Sequence, residues 1–372
     1  MIRLAVAVAF LLAAFGATVS AQPAGIVRPS YVFWEAQSDD IGELIFVDGL
    51  TGEERRFPVN GERFTIYQDG VMFYDTIARQ VVWVRRDGII APHPVVRLPP
   101  DARRVDWVIA PNGQMIAWTI TAEDDAGRLT TETRVAAIDG ADHRVVLREV
   151  DEDGSRLRAL PVAFSADNAR LYMDNHPDGI SDFLPFDQYV AIMALDLATG
   201  ETELLPDERG SRCICGAAVG AGVFLRLRLP DPADDERATN DSFDLYLYDL
   251  VARGGGRLPA LSLDTSTVYD TAGDILIAPD GRVAVYALAR VTDFNTPRQT
   301  TRTVFVLVDI ARGTQRPLTT SATTRFLRPV GWTEDNSAVI LTSPTSNGTW
   351  KLNTGDGALN RIANATYIGI IR

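Results

Sequence analysis

Lysine is almost missing from this chain. Of its 36 basic residues only Lys351 is a lysine; the others are arginine. Against them stand 49 acidic residues, and the formal charge is −13. That balance excludes the basic footprint a nucleic-acid binder needs, and an anionic membrane surface as a partner. Histidine is scarce as well. His93, His143 and His176 are far apart in sequence, so a zinc site of three or four converging ligands is not expected, and no cofactor is expected. Cysteine occurs twice, at Cys213 and Cys215, too few for a disulfide framework. In an extended strand these two side chains share a face; two buried free thiols are the first reading and a strained bridge the second. Several catalytic signatures are absent: no phosphate-binding Gly-Lys loop, no His-Glu-x-x-His and no Gly-x-Ser-x-Gly elbow. Past the N-terminus no apolar run is long enough to span a bilayer. What remains, 46% hydrophobic and 23% charged residues at a mean hydropathy of −0.00, is the balance of an ordinary folded protein.

Residues 1–21 read as a secretory signal peptide. Arg3 supplies the positive region, Leu4 to Phe15 the apolar one, and Val19-Ser20-Ala21 the small residues of a cleavage site. The apolar run falls short of the roughly 18–20 residues a membrane span requires. The expected mature chain is a single domain over 22–372, secreted or periplasmic and monomeric.

Within that domain a phrase recurs. Ala110-Pro111-Asn112-Gly113, Ser165-Ala166-Asp167-Asn168, Ala278-Pro279-Asp280-Gly281 and Thr333-Glu334-Asp335-Asn336 each precede an alternating apolar run, and Val219-Gly220-Ala221-Gly222 is a degenerate copy. Asn112, Asp167, Ala221, Asp280 and Asp335 are separated by 55, 54, 59 and 55 residues. In each phrase Asp or Asn closes a hairpin while Gly or Asn takes the left-handed position. A second phrase, an apolar strand ending in Asp or Asn, recurs at Asp48, Asp87, Asp139, Asp196, Asp249, Asp309 and Asn353. Two hairpins per repeat make four strands, the unit of a propeller blade. The expected fold is all-β: a seven-bladed β-propeller, with six or eight blades as alternatives. The strand-like Thr366–Ile371 would complete a three-stranded first blade and close the ring.

These phrases resemble the TolB-type, WD-repeat-like propeller family of bacteria, over residues 31–372. The resemblance implies the fold strongly and an activity hardly at all, because such propellers carry many functions.

Long connections are expected on one face, at 122–132, 175–188, 229–242 and 289–302. They gather the candidate binding residues Asp124, Asp125, Asp182, Phe183, Phe186, Asp234, Asp235 and Glu236. An acidic face of this kind suits a protein, peptide or glycan partner of basic character. A non-enzymatic scaffold is the first functional reading. The alternative is a hydrolase or lyase with carboxylates at the central channel, for which Asp106 and Asp274, in inner strands, are the candidates. His176 is read as part of a long loop. Glu149-x-Asp151-x-Asp153-Gly154 imitates the start of a calcium loop but has Leu160 where the last ligand belongs.

Overall fold

The computed structural model describes residues 29–38, 40–179, 184–208, 213–229, 243–259, 261, 263, 269–294, 296–319 and 322–372. The expected signal segment lies outside them, as do Asp182, Phe183, Asp234, Asp235 and Glu236. The described residues carry strands and no helix. None is a helix long and apolar enough to cross a membrane.

The first sheet holds β1 (Ser30–Ala36), β2 (Ile41–Asp48), β3 (Glu54–Tyr67), β4 (Gly70–Asp75), β5 (Gln80–Arg85) and β6 (Ile90–Pro92), with the chain's last strand, β27 (Thr366–Ile371), on the free side of β1. A second sheet pairs β7 (Ala102–Ile109), β8 (Met115–Glu123), β9 (Leu129–Ala137) and β10 (Arg144–Val150). The third has β11 (Leu157–Phe164), β12 (Arg170–Pro177), β13 (Ile192–Asp196) and β14 (Thr202–Leu204). The fourth has β15 (Ala217–Gly220), β16 (Val223–Arg228), β17 (Asp244–Asp249) and β18 (Gly254–Arg257). The fifth has β19 (Thr271–Ile277), β20 (Val283–Thr292), β21 (Thr300–Asp309) and β22 (Thr314–Pro317). The sixth has β23 (Arg328–Trp332), β24 (Ala338–Thr342), β25 (Thr349–Asn353) and β26 (Leu359–Ala363). Every pairing is antiparallel and, β27 apart, each strand pairs with its neighbour in sequence, as chains of hairpins require.

Turn chemistry is the reason the chain folds back where it does. Asp48 Oδ1 accepts the amides of Leu50 and Thr51 at 2.9 Å each, and Asp196 and Asp249 repeat the arrangement. In the other phrase Asn112, Asp167, Asp280 and Asp335 each accept the amide two residues on. Gly113, Asn168, Ala221, Gly281 and Asn336 take positive φ there, between 48° and 69°. Gly113, Asn168, Gly281 and Asn336 were expected there from the repeat; in the degenerate copy the repeat points to Gly222, and Ala221 before it takes positive φ as well.

The count of seven blades is corrected. Among the described residues the hydrogen-bonded strands group into six sheets, one of seven strands and five of four, and no sheet closes on itself. The reason is β3. It runs as one 14-residue strand. Its first half pairs with β2 and its second with β4, which joins two expected units into one sheet. The pairing of the chain ends is found as expected: Ser30 opposes Ile371 and Trp34 opposes Thr366.

The apolar cores lie between successive sets of strands. Leu225, Leu227 and Leu245 meet Tyr286, Val304 and Val306; Ala117 and Val135 meet Leu171 and Met173. Within the seven-stranded sheet, Val32, Leu44 and Phe46 pack on Val71, Phe73 and Val82, so its two halves face each other. The first strands of successive sheets lie against one another, β7 on β11, β11 on β15, β15 on β19 and β19 on β23, and β23 returns to β27 and β27 to β3. These strands carry the charged side chains described next.

Candidate functional site

Ladder irregularities place those charges. The pairing of β3 with β4 shifts register between Glu62 and Thr65, that of β7 with β8 between Ala102 and Arg104, and that of β19 with β20 between Gly273 and Leu276. Arg63 and Asp274 fall inside such shifts at φ of 60° and 52°. A bulge of this kind re-aims a side chain away from the regular alternation. Left-handed backbone at a non-glycine residue costs energy that the surrounding structure must supply.

The result is a pocket of about 370 Å³ bordered by β3, β7, β11, β12 and the segment before β13. Asp106 on β7 is the hub. Its carboxylate receives Arg63 Nη1 at 2.7 Å, Arg104 Nε at 3.0 Å on each oxygen and Arg158 Nη1 at 3.0 Å. Arg63 also donates to the Val105 carbonyl. Arg158 has no exposed side-chain surface. Its Nε lies 3.6 Å from Asp178, and its Nη2 has no hydrogen-bond partner. Burial lowers the affinity of Arg158 for its proton while Asp106 opposes that pull.

Across β11–β12, Arg158 stands opposite His176. His176 is 4% exposed and lines the pocket. Its Nδ1 is 3.1 Å from Asp174 Oδ2, and Asp174 Oδ1 accepts the Val190 and Ala191 amides at 3.0 and 2.9 Å. A carboxylate that accepts amides on one oxygen offers the other to an N–H, so Nδ1 is the donor in this pair, and in the neutral ring the lone pair is then on Nε2. That Nε2 has no hydrogen-bond partner. Tyr189 borders the same space, and burial, with the negative charges of Asp187 and Asp174, holds its phenol protonated. The segment carrying it is pinned on both sides. Asp187 donates its amide to Asp274 at 2.7 Å, Gln188 Nε2 donates to the Ala272 carbonyl at 2.9 Å, and Tyr189 pairs with Cys215.

Asp106 and Asp274 both sit in first strands, as expected, and each is occupied by arginine. Arg328 holds Asp274 with two contacts of 2.6 Å and reaches Asp187 at 2.8 Å. Burial pushes the Asp274 carboxyl up to about 6, against the pull of Arg328 and the Asp187 amide. Asp274 does not border the pocket; Asp187, which does, connects it to the Arg328 pair. Neither carboxylate is left free to exchange a proton with a ligand. The group placed to do so is His176. Its place in a loop is corrected: it lies in β12, because the strand continues to Pro177. The Asp174-x-His176 spacing, same-face in a strand, was the signal available in the sequence.

The binding candidates divide. Asp124 closes the turn between β8 and β9, accepting the amides of Ala126 and Arg128 and pairing with the Arg128 guanidinium at 2.8 Å; these bonds lower its pKa. Asp125 is exposed beside it. Phe186 is 2% exposed and packs edge-on against Phe326 at 5.5 Å, which makes it a core residue that anchors the segment before β13. Three of the expected long connections shorten, the one at 175–188 because β12 runs to Pro177. Residues 122 and 123 and 129–132 are strand, as are 289–292 and 300–302, since the polar Thr-rich flanks continue the ladders. Asp151 and Asp153 accept bonds from Ser155 and Arg156 within their own turn. Cys213 and Cys215 are bridged. The free-thiol reading is therefore corrected: the two residues lie before β15 rather than in a strand, and their Cα–Cα distance of 5.4 Å is within bridging range.

No known protein family matches this chain, and no curated protein matches it in sequence. Among solved structures it is similar to a prolyl endopeptidase, at 11% identity and a TM-score of 0.58, over 91% of this chain and 50% of that one. It thus spans half the length of that enzyme. Puromycin hydrolase, at 14% identity and TM-score 0.44 over 86% of this chain and 52% of that one, and a putative 6-phosphogluconolactonase from Bacteroides uniformis, at 14% and 0.40 over 90% and 81%, are more distant in shape. The likeness to the prolyl endopeptidase concerns the fold, and with it these six sheets are recognised as a β-propeller scaffold.

Proposed function

We propose that this propeller is an enzyme of the hydrolase or lyase class whose acid–base group is His176, set in place by Asp174. The observation that carries the reading is the unpartnered Nε2 of a buried imidazole at the wall of a pocket, with Nδ1 committed to a carboxylate. A satisfied core histidine uses both nitrogens or faces apolar neighbours. This one lines a pocket together with Arg158, Asp106 and Tyr189. A neutral imidazole so oriented takes a proton from a bound molecule or from water. Tyr189, kept protonated, is the neighbouring donor. No Gly-x-Ser-x-Gly elbow is present in this chain, so a serine nucleophile is not part of the proposal. The enzymes similar in shape lend it the scaffold only.

The acid–base reading is tested on the full chain with a panel of small esters, lactones and glycosides, together with ultraviolet detection of new C=C bonds. Turnover by the parent that drops about 10²-fold or more in His176→Asn, at an unchanged melting temperature, is the expected result. Turnover indifferent to that substitution, or absent with every compound, overturns the reading. The alternative, a non-enzymatic scaffold, retains only binding in the same assays.

The compartment belongs to the proposal too. The apolar N-terminal segment of the sequence and the Cys213–Cys215 bridge both suit an oxidising exterior or periplasm. Intact mass of exported protein beginning at Gln22 is the expected observation.

A further inference from the structure

The acid–base reading leaves the arginines without a task. We propose that Arg158, flanked by Arg104 and Arg63, is a carboxylate-binding subsite, and that the ligand of this pocket is a small monocarboxylate. The inference rests on the reading above for what happens to that ligand, but not for its binding.

The first support is the guanidinium itself. Arg158 is completely buried, one nitrogen is spent on Asp106, one sits 3.6 Å from Asp178, and Nη2 has no acceptor. An unmade hydrogen bond on a buried charged donor is costly, and a ligand oxygen would relieve it. The second is charge. The linked cluster holds five arginines, Arg63, Arg103, Arg104, Arg156 and Arg158, against the four acids Glu62, Asp106, Glu123 and Asp178. A local excess of positive charge stands out in a chain of formal charge −13. The third is placement. Arg158 and His176 oppose each other in the β11–β12 ladder, which puts their Cβ atoms about 5 Å apart on one face. An anion held by Arg158 therefore brings its neighbouring atoms to Nε2.

The surplus charge of that ion-paired cluster and the two nitrogens of Arg158 without a hydrogen bond, Nε and Nη2, suit a singly charged carboxylate. A phosphate dianion would meet the carboxylates of Asp106 and Asp187 in the same pocket with too few donors to offset them. Phe64 and Trp107 on the wall offer apolar surface to the rest of such a molecule.

The test is titration of the full chain, by calorimetry and by ligand-observed NMR, with benzoate against benzamide, D-gluconate against D-glucose, and inorganic phosphate. Each carboxylate should bind about tenfold or more tightly than its neutral counterpart, and phosphate more weakly than either carboxylate. Arg158→Lys, which keeps the charge but loses the planar fork, should weaken benzoate about tenfold or more. His176→Asn should change benzoate affinity by less than about threefold, on the order of 0.6 kcal/mol. Equal binding of benzoate and benzamide by the parent, tighter binding of phosphate, or no binding of either carboxylate overturns the subsite. The first comparison needs no variant, so it decides even where Arg158→Lys fails to fold. Turnover that depends on His176 without carboxylate binding would remove this subsite and keep the enzyme reading; carboxylate binding without turnover would do the reverse.

Discussion

His93 shows how much one side chain organises. It follows β6, is fully buried, and its Nδ1 accepts the Val95 and Val96 amides at 3.2 and 2.9 Å. It therefore serves as the acceptor for a turn whose amides would otherwise be buried and unpaired. Burial, with the charge of Arg97 added, pulls its pKa down to about 4. The unfolded chain takes up this proton near pH 6.5, the folded one only near 4, so the group's contribution is present above 6.5 and is lost as the pH falls toward 4. The difference amounts to about 3 kcal/mol. Urea unfolding at pH 4.5 and 6.5 reads about 2 kcal/mol of it. In His93→Asn, whose amide oxygen can still accept, the pH difference should shrink by most of that amount; an undiminished difference would assign it to other groups.

At the scale of the element, β27 and the cysteine pair make opposite demands. β27 covers the open side of β1 and brings Ile371, 1% exposed, into the core with Val32 and Trp34. Truncation after Ala365 uncovers that core and a row of backbone groups. It should cost about 3 kcal/mol or more and lower the melting temperature by several degrees; an unchanged melting curve would show that the pairing contributes nothing. The bridge between Cys213 and Cys215 spans only two positions. Loop-closure entropy for so short a loop is small, about 1–2 kcal/mol. Reduction in otherwise native buffer should therefore move the melting temperature by a few degrees only, and a larger loss would mean that the bridge also holds the Tyr189–Cys215 pairing in place.

For the whole molecule the decisive feature is that its apolar cores are separate. Phe73 belongs to the cluster inside the seven-stranded sheet and Phe305 to the one between the fifth and sixth sheets, and the two clusters share no member. Phe73→Ala and Phe305→Ala should each cost about 3–5 kcal/mol. Together they should add to within about 0.5 kcal/mol, because sites without shared partners are independent. A double-mutant cycle by denaturant unfolding checks this, and a large coupling energy would show that strain passes between sheets. The same separation leaves the first strands free to carry Arg63, Asp106, Arg158, Asp274 and Arg328, whose ion pairs connect strands of different sheets.

Local chemistry was legible because it is local. Asn112, Asp167, Asp280 and Asp335 close their turns through their own next residues, and alternation within each run decides which side chains face a core. The repeat spacing therefore disclosed the all-β class, the hairpins and the partner of Thr366–Ile371 from the sequence alone. Sheet membership was not disclosed, because nothing in residues 54–67 marks where β3 passes from β2 to β4. The site was not legible either. Arg63, Asp106, Arg158 and His176 come from four strands of three sheets, and what makes them a site is burial without a partner, a property of the packed molecule. The acids of the sequence looked like one negative face; folding set arginines against Asp106, Asp124, Asp178, Asp187 and Asp274. Charge sums are written in composition, but which charges meet is decided by tertiary contacts, since ion pairs act over a few ångströms in space whatever the separation along the chain.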